Sequence, residues 1–181
     1  MRIISGQWRG RPLVAPKGDT TRPTADRTRE ALFSMLTSRL GSFEGLKVAD
    51  MFAGSGALGL EALSRGAGSC LFVEQDKAAL DSLRANADKL GIRADIRAGS
   101  VMSLGTAPAP LDLIMMDPPY GTGAGAVALD KLARQGWVGP ATWVSIETDR
   151  KEDIEVKGFE VETVRDIGKA RIHLLRAVEG E

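Results

Sequence analysis

The apolar positions of this chain change period several times, and each change predicts an element. Residues 2–5 and 11–14 are short apolar stretches flanking Gly6-Gln7-Trp8-Arg9-Gly10, the pattern of a hairpin with an arginine-bearing tip. Residues 16–23 are rich in Gly, Asp, Thr and Pro and read as loop. Thr24 then suits an N-cap, and Ala31, Leu32, Met35, Leu36 and Leu40 recur at helical spacing. A helix is therefore predicted over 25–40, stopped by Gly41. From residue 46 strand and helix alternate: strands over 46–52, 70–73 and 92–98, with helices over 57–65 and 77–90 between them. The run Leu111-Asp112-Leu113-Ile114-Met115-Met116 is apolar apart from Asp112, which is how a strand buried on both faces reads. A link over 121–125, a helix over 126–135, a strand over 142–148 and strands over 159–165 and 170–177 complete the pattern, the last two joined by a turn at Gly168-Lys169. Such repetition predicts an α/β fold with a doubly wound, mostly parallel sheet and an antiparallel edge.

Composition narrows the class. With 181 residues, 43% hydrophobic and 27% charged, the chain fits one soluble domain, 24–181, preceded by a small arm, 1–23. No apolar stretch approaches the roughly 20 residues of a membrane span, and the N-terminus has no signal-peptide core, so a reducing cytoplasm is expected. The single cysteine, Cys70, excludes an internal disulfide and a cysteine-rich zinc site, and its apolar strand makes it a core residue. The single histidine, His173, argues against a His-based metal site or a Ser-His triad. No metal is expected. Net charge is zero, yet residues 1–30 hold seven basic and three acidic side chains, a segment charge of +4. A basic arm on a mildly acidic body suits a polyanion, though it is also how a merely solvated face looks. Trp8 at the hairpin tip could anchor it by packing, the favoured reading, or stack on a nucleotide. Arg22, Arg27 and Arg29 stand at the start of the predicted helix, where the dipole disfavours cations, and this points to phosphate contact.

Two motifs carry candidate chemistry. Asp117-Pro118-Pro119-Tyr120 follows the buried strand, and the prolines end it because neither can donate a ladder hydrogen bond. Asp117 is thereby placed at the carboxyl end of a central strand, where open α/β sheets bind ligands. A carboxylate, the Pro118 carbonyl and an aromatic face suit a flat ring bearing an amino group; a rigid capped turn is the plain alternative. The second motif is Asp50-Met51-Phe52-Ala53-Gly54-Ser55-Gly56-Ala57-Leu58-Gly59, a strand–turn–helix whose glycines match G-x-G-x-x-G. Glu74 closes the next strand 20 residues after Gly54, the spacing at which a carboxylate takes a ribose hydroxyl pair. Asp50, four positions before the glycines, is a poor neighbour for a pyrophosphate and a good one for an ammonium group. S-adenosylmethionine has an ammonium, a carboxylate and a ribose, and no phosphate. Asp50 would serve its ammonium, the Gly54–Gly56 amides (with Ser55 between) its carboxylate and Glu74 its ribose, while Gly99-Ser100-Val101 would lie beside its adenine; Ala53 and Gln75 complete the expected cofactor-binding set.

The chain closely resembles the RsmD-type methyltransferases, which methylate the N2 amino group of a guanine in bacterial small-subunit (16S) ribosomal RNA. The resemblance is carried by residues 2–11, by residues 22–33 (Arg22-Pro23-Thr24-Ala25-Asp26-Arg27-Thr28-Arg29-Glu30-Ala31-Leu32-Phe33), by residues 50–67, and by Asp117 to Tyr120. The first two stretches are the discriminating ones, since other amino-group methyltransferases share only the last two. The resemblance implies a Rossmann-like class I methyltransferase fold with a seven-stranded sheet and an antiparallel C-terminal strand. It also implies S-adenosylmethionine as donor, S-adenosylhomocysteine as product, and ribosomal RNA of the small subunit or its assembly intermediate as partner; a monomer is expected. Asp117, Pro118, Pro119 and Tyr120 would be catalytic; Arg9, Arg11, Lys17, Arg22 and Arg27 would hold RNA phosphates. Two departures stand out: Ser100 replaces an acidic residue common beside the adenine, and Phe52 replaces the first glycine of the broader pattern. A DNA adenine-N6 or cytosine-N4 methyltransferase is the nearest rival, though 181 residues leave no room for a target-recognition domain. A nicotinamide-dependent reductase, or a nucleotide-binding module without catalysis, is the rival from another class.

Overall fold

The computed structural model describes residues 1–16 and 22–178. Seven strands form one sheet: β1 (Lys47–Asp50), β2 (Ser69–Glu74), β3 (Asp95–Ala98), β4 (Leu111–Met116), β5 (Val138–Asp149), β6 (Phe159–Ile167) and β7 (Ala170–Ala177). Their order is β3-β2-β1-β4-β5-β7-β6, and β7 alone runs against the others. β1 therefore lies beside β4, with Asp50 opposite Met115, and the winding direction reverses between them. That reversal opens a crevice at the carboxyl ends of β1 and β4, the place where doubly wound sheets bind ligands.

The alternation of side chains along the central strands divides the core in two. Leu113 and Met115 of β4, with Val48 of β1 and Phe72 of β2, face α1 (Arg22–Leu40), α2 (Ala57–Ser64) and α3 (Lys77–Leu90). Ile114 and Met116, with Ala49, Val73 and Ile146, face α4 (Ala124–Arg134) and the short 3-10 turn Val101–Ser103. Both faces are dry, which is why β4 reads as a continuous apolar run.

Most predicted elements are present, with shifted ends. α3 spans the predicted residues, because Asp76 caps it (its side chain accepts from the Ala79 N–H at 2.9 Å) and Gly91 closes it at φ 69°. α1 starts at Arg22, not Ala25, so Thr24 lies inside the helix and is not its cap. Pro23 is tolerated in the first turn because the N–H it lacks has no intrahelical partner there. α4 starts at Ala124, two residues early, after Gly123 at φ 68°. β5 extends back to Val138 through Gly139 and Pro140, and β3 is shorter than predicted.

The N-terminal hairpin is held by Ile3 N–H to the Arg11 carbonyl (2.9 Å) and Gly10 N–H to the Ile3 carbonyl (2.8 Å). Ile3 and Leu13 are buried in the same core as α1 and α2, and Trp8 packs against it. The favoured packing reading for Trp8 is the one observed. A fully buried carboxylate clamps the hairpin: Glu61 accepts the Ile4 N–H at 2.8 Å and the Ser5 N–H at 3.0 Å. The same group pairs with Arg65 at 2.9 Å and Arg29 at 3.6 Å. Arg29, 4% exposed, also bonds Asp26 at 3.0 Å and the Arg2 carbonyl. The expectation that Arg29 contacts phosphate is thus corrected: it joins hairpin to helix inside the protein.

Candidate active site

A cleft of about 1310 Å³ occupies the crevice at the carboxyl edge of β1 and β4. Every residue of Asp117-Pro118-Pro119-Tyr120 lines it. So do all the predicted cofactor residues except Asp50 and Gly56: Ala53, Gly54, Ser55, Glu74, Gln75, Ser100 and Val101. The two motifs, separated by 57 residues of chain, converge because their strands are neighbours.

The three glycines of the turn do different work. At Gly54 (φ +56°) an added Cβ would meet nothing within 4 Å, so this residue presents bare backbone to the cleft. At Gly56 (φ +88°) a Cβ would fall 2.3 Å from Leu83 Cδ1, and at Gly59 it would fall 2.3 Å from Phe72 Cε1. These two let α2 press onto its neighbours; the first lets a ligand approach. The turn is braced on both sides. Asn86, fully buried, donates to the Ser55 carbonyl at 2.9 Å while holding both backbone groups of Val14. Glu74 accepts the Gly54 N–H at 2.8 Å through one oxygen, and the Gln75 and Asp76 N–H groups, each at 2.8 Å, through the other. The Gly56 N–H goes to the Ala53 carbonyl at 2.7 Å. The amides of Gly54 and Gly56, expected to meet a ligand carboxylate, are therefore engaged within the turn.

Asp50 lies beneath the cleft floor, fully buried, with one oxygen 3.0 Å from the Gly59 N–H. Its other oxygen, Oδ1, has no hydrogen-bond partner among the described residues. Burial pushes its carboxyl up to about 7, against the pull of the Gly59 amide and with added repulsion from Glu74. A direct grip on a ligand ammonium, as expected from the sequence, does not match this placement: the carboxylate anchors the first turn of α2. Ser100 lines the wall, where its hydroxyl accepts the Met102 N–H at 3.1 Å and opens the 3-10 turn.

At the opposite wall Pro118 is buried and Asp117 stands exposed at the rim. Gly125 makes room for Pro118, since a Cβ there would sit 3.3 Å from its Cγ and 2.7 Å from Ile146 Cγ2. The Thr122 hydroxyl donates to the Pro119 carbonyl at 2.8 Å, and the Gly121 N–H donates to Glu152. Tyr120 is 42% exposed, and its hydroxyl donates to Glu147 Oε2 at 2.7 Å. Burial and then this acceptor hold the phenol protonated, well above its ordinary value. Sequence reasoning missed Glu147. Its only signal is an acidic residue near the carboxyl end of β5, the strand next to β4.

Of the predicted phosphate-binding residues, Arg9 and Arg11 are exposed but lie away from the cleft. The hairpin tip is bonded to Ser64, the last residue of α2, through Gln7 N–H (2.8 Å) and Trp8 N–H (3.0 Å). The cleft is at the other end of α2, about 12 Å away at 1.5 Å per residue. Arg11 donates to the Lys89 carbonyl at 2.8 Å. Arg27 is exposed on α1. Lys17 and the side chain of Arg22 lie outside the described residues.

This order of strands, with the glycine turn after β1 and one reversed strand near the edge, defines the class I S-adenosylmethionine-dependent methyltransferase fold. Magnesium protoporphyrin IX methyltransferase from Synechocystis PCC 6803, solved with bound SAM, shares it at a TM-score of 0.67 and 15% identity, over 87% of this chain and 81% of that one. A family profile described as conserved hypothetical protein 95 matches residues 1–176. Ribosomal RNA small subunit methyltransferase D of Escherichia coli K12 is 36% identical over 151 residues, which covers 82% of this chain and 75% of that protein. The protein of the same name from Haemophilus influenzae is 34% identical over 160 residues, 85% and 81% of the two chains. The solved structure of yhhF from Escherichia coli superposes with a TM-score of 0.86 at 33% identity, covering 99% of both. The chain belongs to the RsmD-type methyltransferase family.

Proposed function

We propose that the protein transfers a methyl group from S-adenosylmethionine to the exocyclic N2 amino group of a guanine in small-subunit ribosomal RNA, leaving S-adenosylhomocysteine. The observation that carries this reading is the convergence of the bare Gly54 backbone and Asp117–Tyr120 on one cleft. The names of the family's relatives support ribosomal RNA as substrate.

The walls fit the donor. Glu74, Asp76, Asp117 and Glu147 all line the cleft, against Lys169 at its rim and Arg29, which Asp26 and Glu61 already hold. That excess of carboxylates repels a pyrophosphate, which counts against a nicotinamide dinucleotide, and favours a ligand with a sulfonium and an ammonium. Of the cleft residues, Glu74 and Gln75 take the ribose, Ser100 and Val101 the adenine, and Gly54 and Ser55 the methionine end. Asp50 supports that end from below by holding α2. When bound, S-adenosylmethionine supplies an electrophilic methyl group on a sulfonium, ready for in-line displacement.

The chain's own residues prepare the acceptor. The lone pair of a guanine N2 amino group is delocalised into its ring and is a weak nucleophile. Asp117 and the Pro118 carbonyl accept its two hydrogens and turn the lone pair toward the methyl group. Tyr120 stacks on the base, and its bond to Glu147 keeps the ring from swinging away. The guanine must be unpaired or flipped out to reach this position. Alignment and electrostatics supply most of the acceleration. Arg9, Arg11, Lys17, Arg22 and Arg27 supply phosphate contacts on the arm and α1.

The test is transfer of a tritiated methyl group to small subunits lacking the modification, followed by nucleoside analysis. N2-methylguanosine is expected, and Asp117→Ala should abolish it while still binding S-adenosylhomocysteine. Subunits left unlabelled while DNA offered in a parallel reaction gains label in adenine or cytosine would overturn the reading, as would Asp117→Ala turning over like wild type.

A further inference from the structure

The cleft that holds the base is lined by carboxylates, so it repels the phosphates on either side of the target nucleotide. Those phosphates need cations at its rim and beyond it. The hairpin tip with Arg9 is a helix length away, so the cations must come from elsewhere. Beside the cleft the β6–β7 turn at Gly168-Lys169 lies at the same sheet edge, since Ala170 pairs with Asp149 at the end of β5. Gly168 and Lys169 line the cleft, and Gly168 also lines a second groove of about 510 Å³ between that turn and α1. Cleft and groove thus adjoin at one residue.

Charge in the groove is arranged in favour of an anion. Arg27 and Arg165 line it and are exposed; Lys169 is exposed on the turn between groove and cleft. None of the three takes part in an ion pair among the described residues. Asp166, the groove's acid on the turn side, is already bonded: Arg171 holds it at 2.8 Å and Arg150 at 3.4 Å. Arg171 also takes Asp153 at 2.7 Å. Glu30 remains as the one groove acid without a cation among the described residues, against two uncommitted groove cations, Arg27 and Arg165, with Lys169 beside them at the cleft. Long, exposed and uncommitted cations along a path leading from an active site have the form of a backbone-tracking surface.

We propose that Lys169, Arg165 and Arg27 form a phosphate track that holds the single-stranded RNA flanking the target nucleotide, leading it from the cleft across the Gly168 turn into the groove. This rests on the RNA substrate argued above, and it adds Lys169 and Arg165, on the C-terminal hairpin, to the RNA-binding surface. The track acts on substrate binding and leaves the chemistry untouched.

The experiment uses the full chain with Arg165→Ala/Lys169→Ala, and Arg84→Ala/Arg93→Ala as a control that removes two exposed cations from the α3 side. Binding of a fluorescein-labelled single-stranded RNA is measured across a salt series, and methyl transfer is measured on assembled small subunits. If each cation neutralises one phosphate, the double variant's log–log salt slope should be shallower by about 1.4 and its affinity roughly tenfold weaker at physiological salt. KM should rise in proportion, with kcat unchanged, and the control pair should behave as wild type. Equal slopes and KM values in all three proteins would overturn the track. So would a variant that binds RNA like wild type yet loses activity on subunits, because the surface would then meet a ribosomal protein. A wild-type protein that neither binds RNA nor methylates it would instead overturn the substrate reading itself, and the track with it.

Discussion

Tyr120 and Glu147 form a unit assembled from two strands. The tyrosine extends from the rigid turn after β4, and the glutamate reaches it from β5 through a 2.7 Å bond. A stacking ring works only if it is presented at one angle, and a single acceptor on the neighbouring strand supplies that constraint. Tyr120→Ala should lower transition-state stabilisation by about 1–3 kcal/mol, read from kcat/KM, the range for a base stacked on an aromatic ring. Glu147→Ala should lower it less, and Glu147→Gln, which keeps an acceptor oxygen, should recover most of the loss. If Glu147→Ala left kcat/KM unchanged, the orienting role would be wrong. Asp50 makes a different prediction. Its folded pKa, pushed up to about 7, lies above its ordinary value of 3.8, so the folded state holds the proton more tightly than the unfolded chain. Stability from this group is complete below about pH 4 and is lost as pH rises through 7. Between pH 5 and 8 the loss is about 2–3 kcal/mol at most. Urea unfolding of wild type and Asp50→Asn at the two pH values should show that fall in wild type and a flatter dependence in the variant.

At the scale of elements, the strand–turn–helix β1–α2 combines a ligand-facing edge with a packed base. The division predicts opposite phenotypes for two glycine substitutions. Gly59→Ala drives a methyl into Phe72 and Cys70, at 2.3 and 2.6 Å, and should cost about 1–3 kcal/mol of stability. Gly54→Ala meets open space and costs only the left-handed backbone, about 1–2 kcal/mol. Its methyl enters the cleft, so the larger effect should be on S-adenosylhomocysteine affinity, measured by titration calorimetry. Similar cofactor losses in both variants would contradict the assignment. These roles were only partly legible in the chain. The G-x-G-x-x-G spacing marked the turn, but which glycine faces the open cleft and which meets Phe72 depends on residues of β2 and α3. The ends of α1 and α4 differ from the expected ones for a related reason. Pro23 and the Gly121–Gly125 stretch break helices in isolation, whereas here Pro23 sits in a first turn and Gly123 caps α4 in the left-handed region.

For the whole molecule, the N-terminal hairpin matters most to how the protein is built. It carries Ile3 and Leu13 into the common core and satisfies Glu61, so it is not a detachable arm. Deleting residues 1–14 would leave Glu61 and Arg29 without these partners and uncover α1 and α2. Breaking a buried ion network costs about 3–5 kcal/mol, so the truncated protein should show a markedly lower urea midpoint and loss of cofactor binding together. Wild-type stability in the truncated protein would refute this account. Among the described residues no helix is long and apolar enough to cross a membrane.

The order of elements was legible because it depends on local chemistry. A dry strand, a glycine turn, a proline stop and an amphipathic helix each follow from side chains within a few positions of one another. The resemblance of residues 2–11 and 22–33 located the family in the same way. Distance in the chain hid the rest. Glu147 beside Tyr120, Asn86 beneath Ser55, Glu61 under the hairpin and the burial of Arg29 all join groups far apart in sequence. Strand order decides them, and strand order is fixed by which apolar faces can be covered together. A carboxylate at position 50 looks like a ligand group when read along the chain. Only packing, by placing α2 over it, turned it into an anchor for a helix.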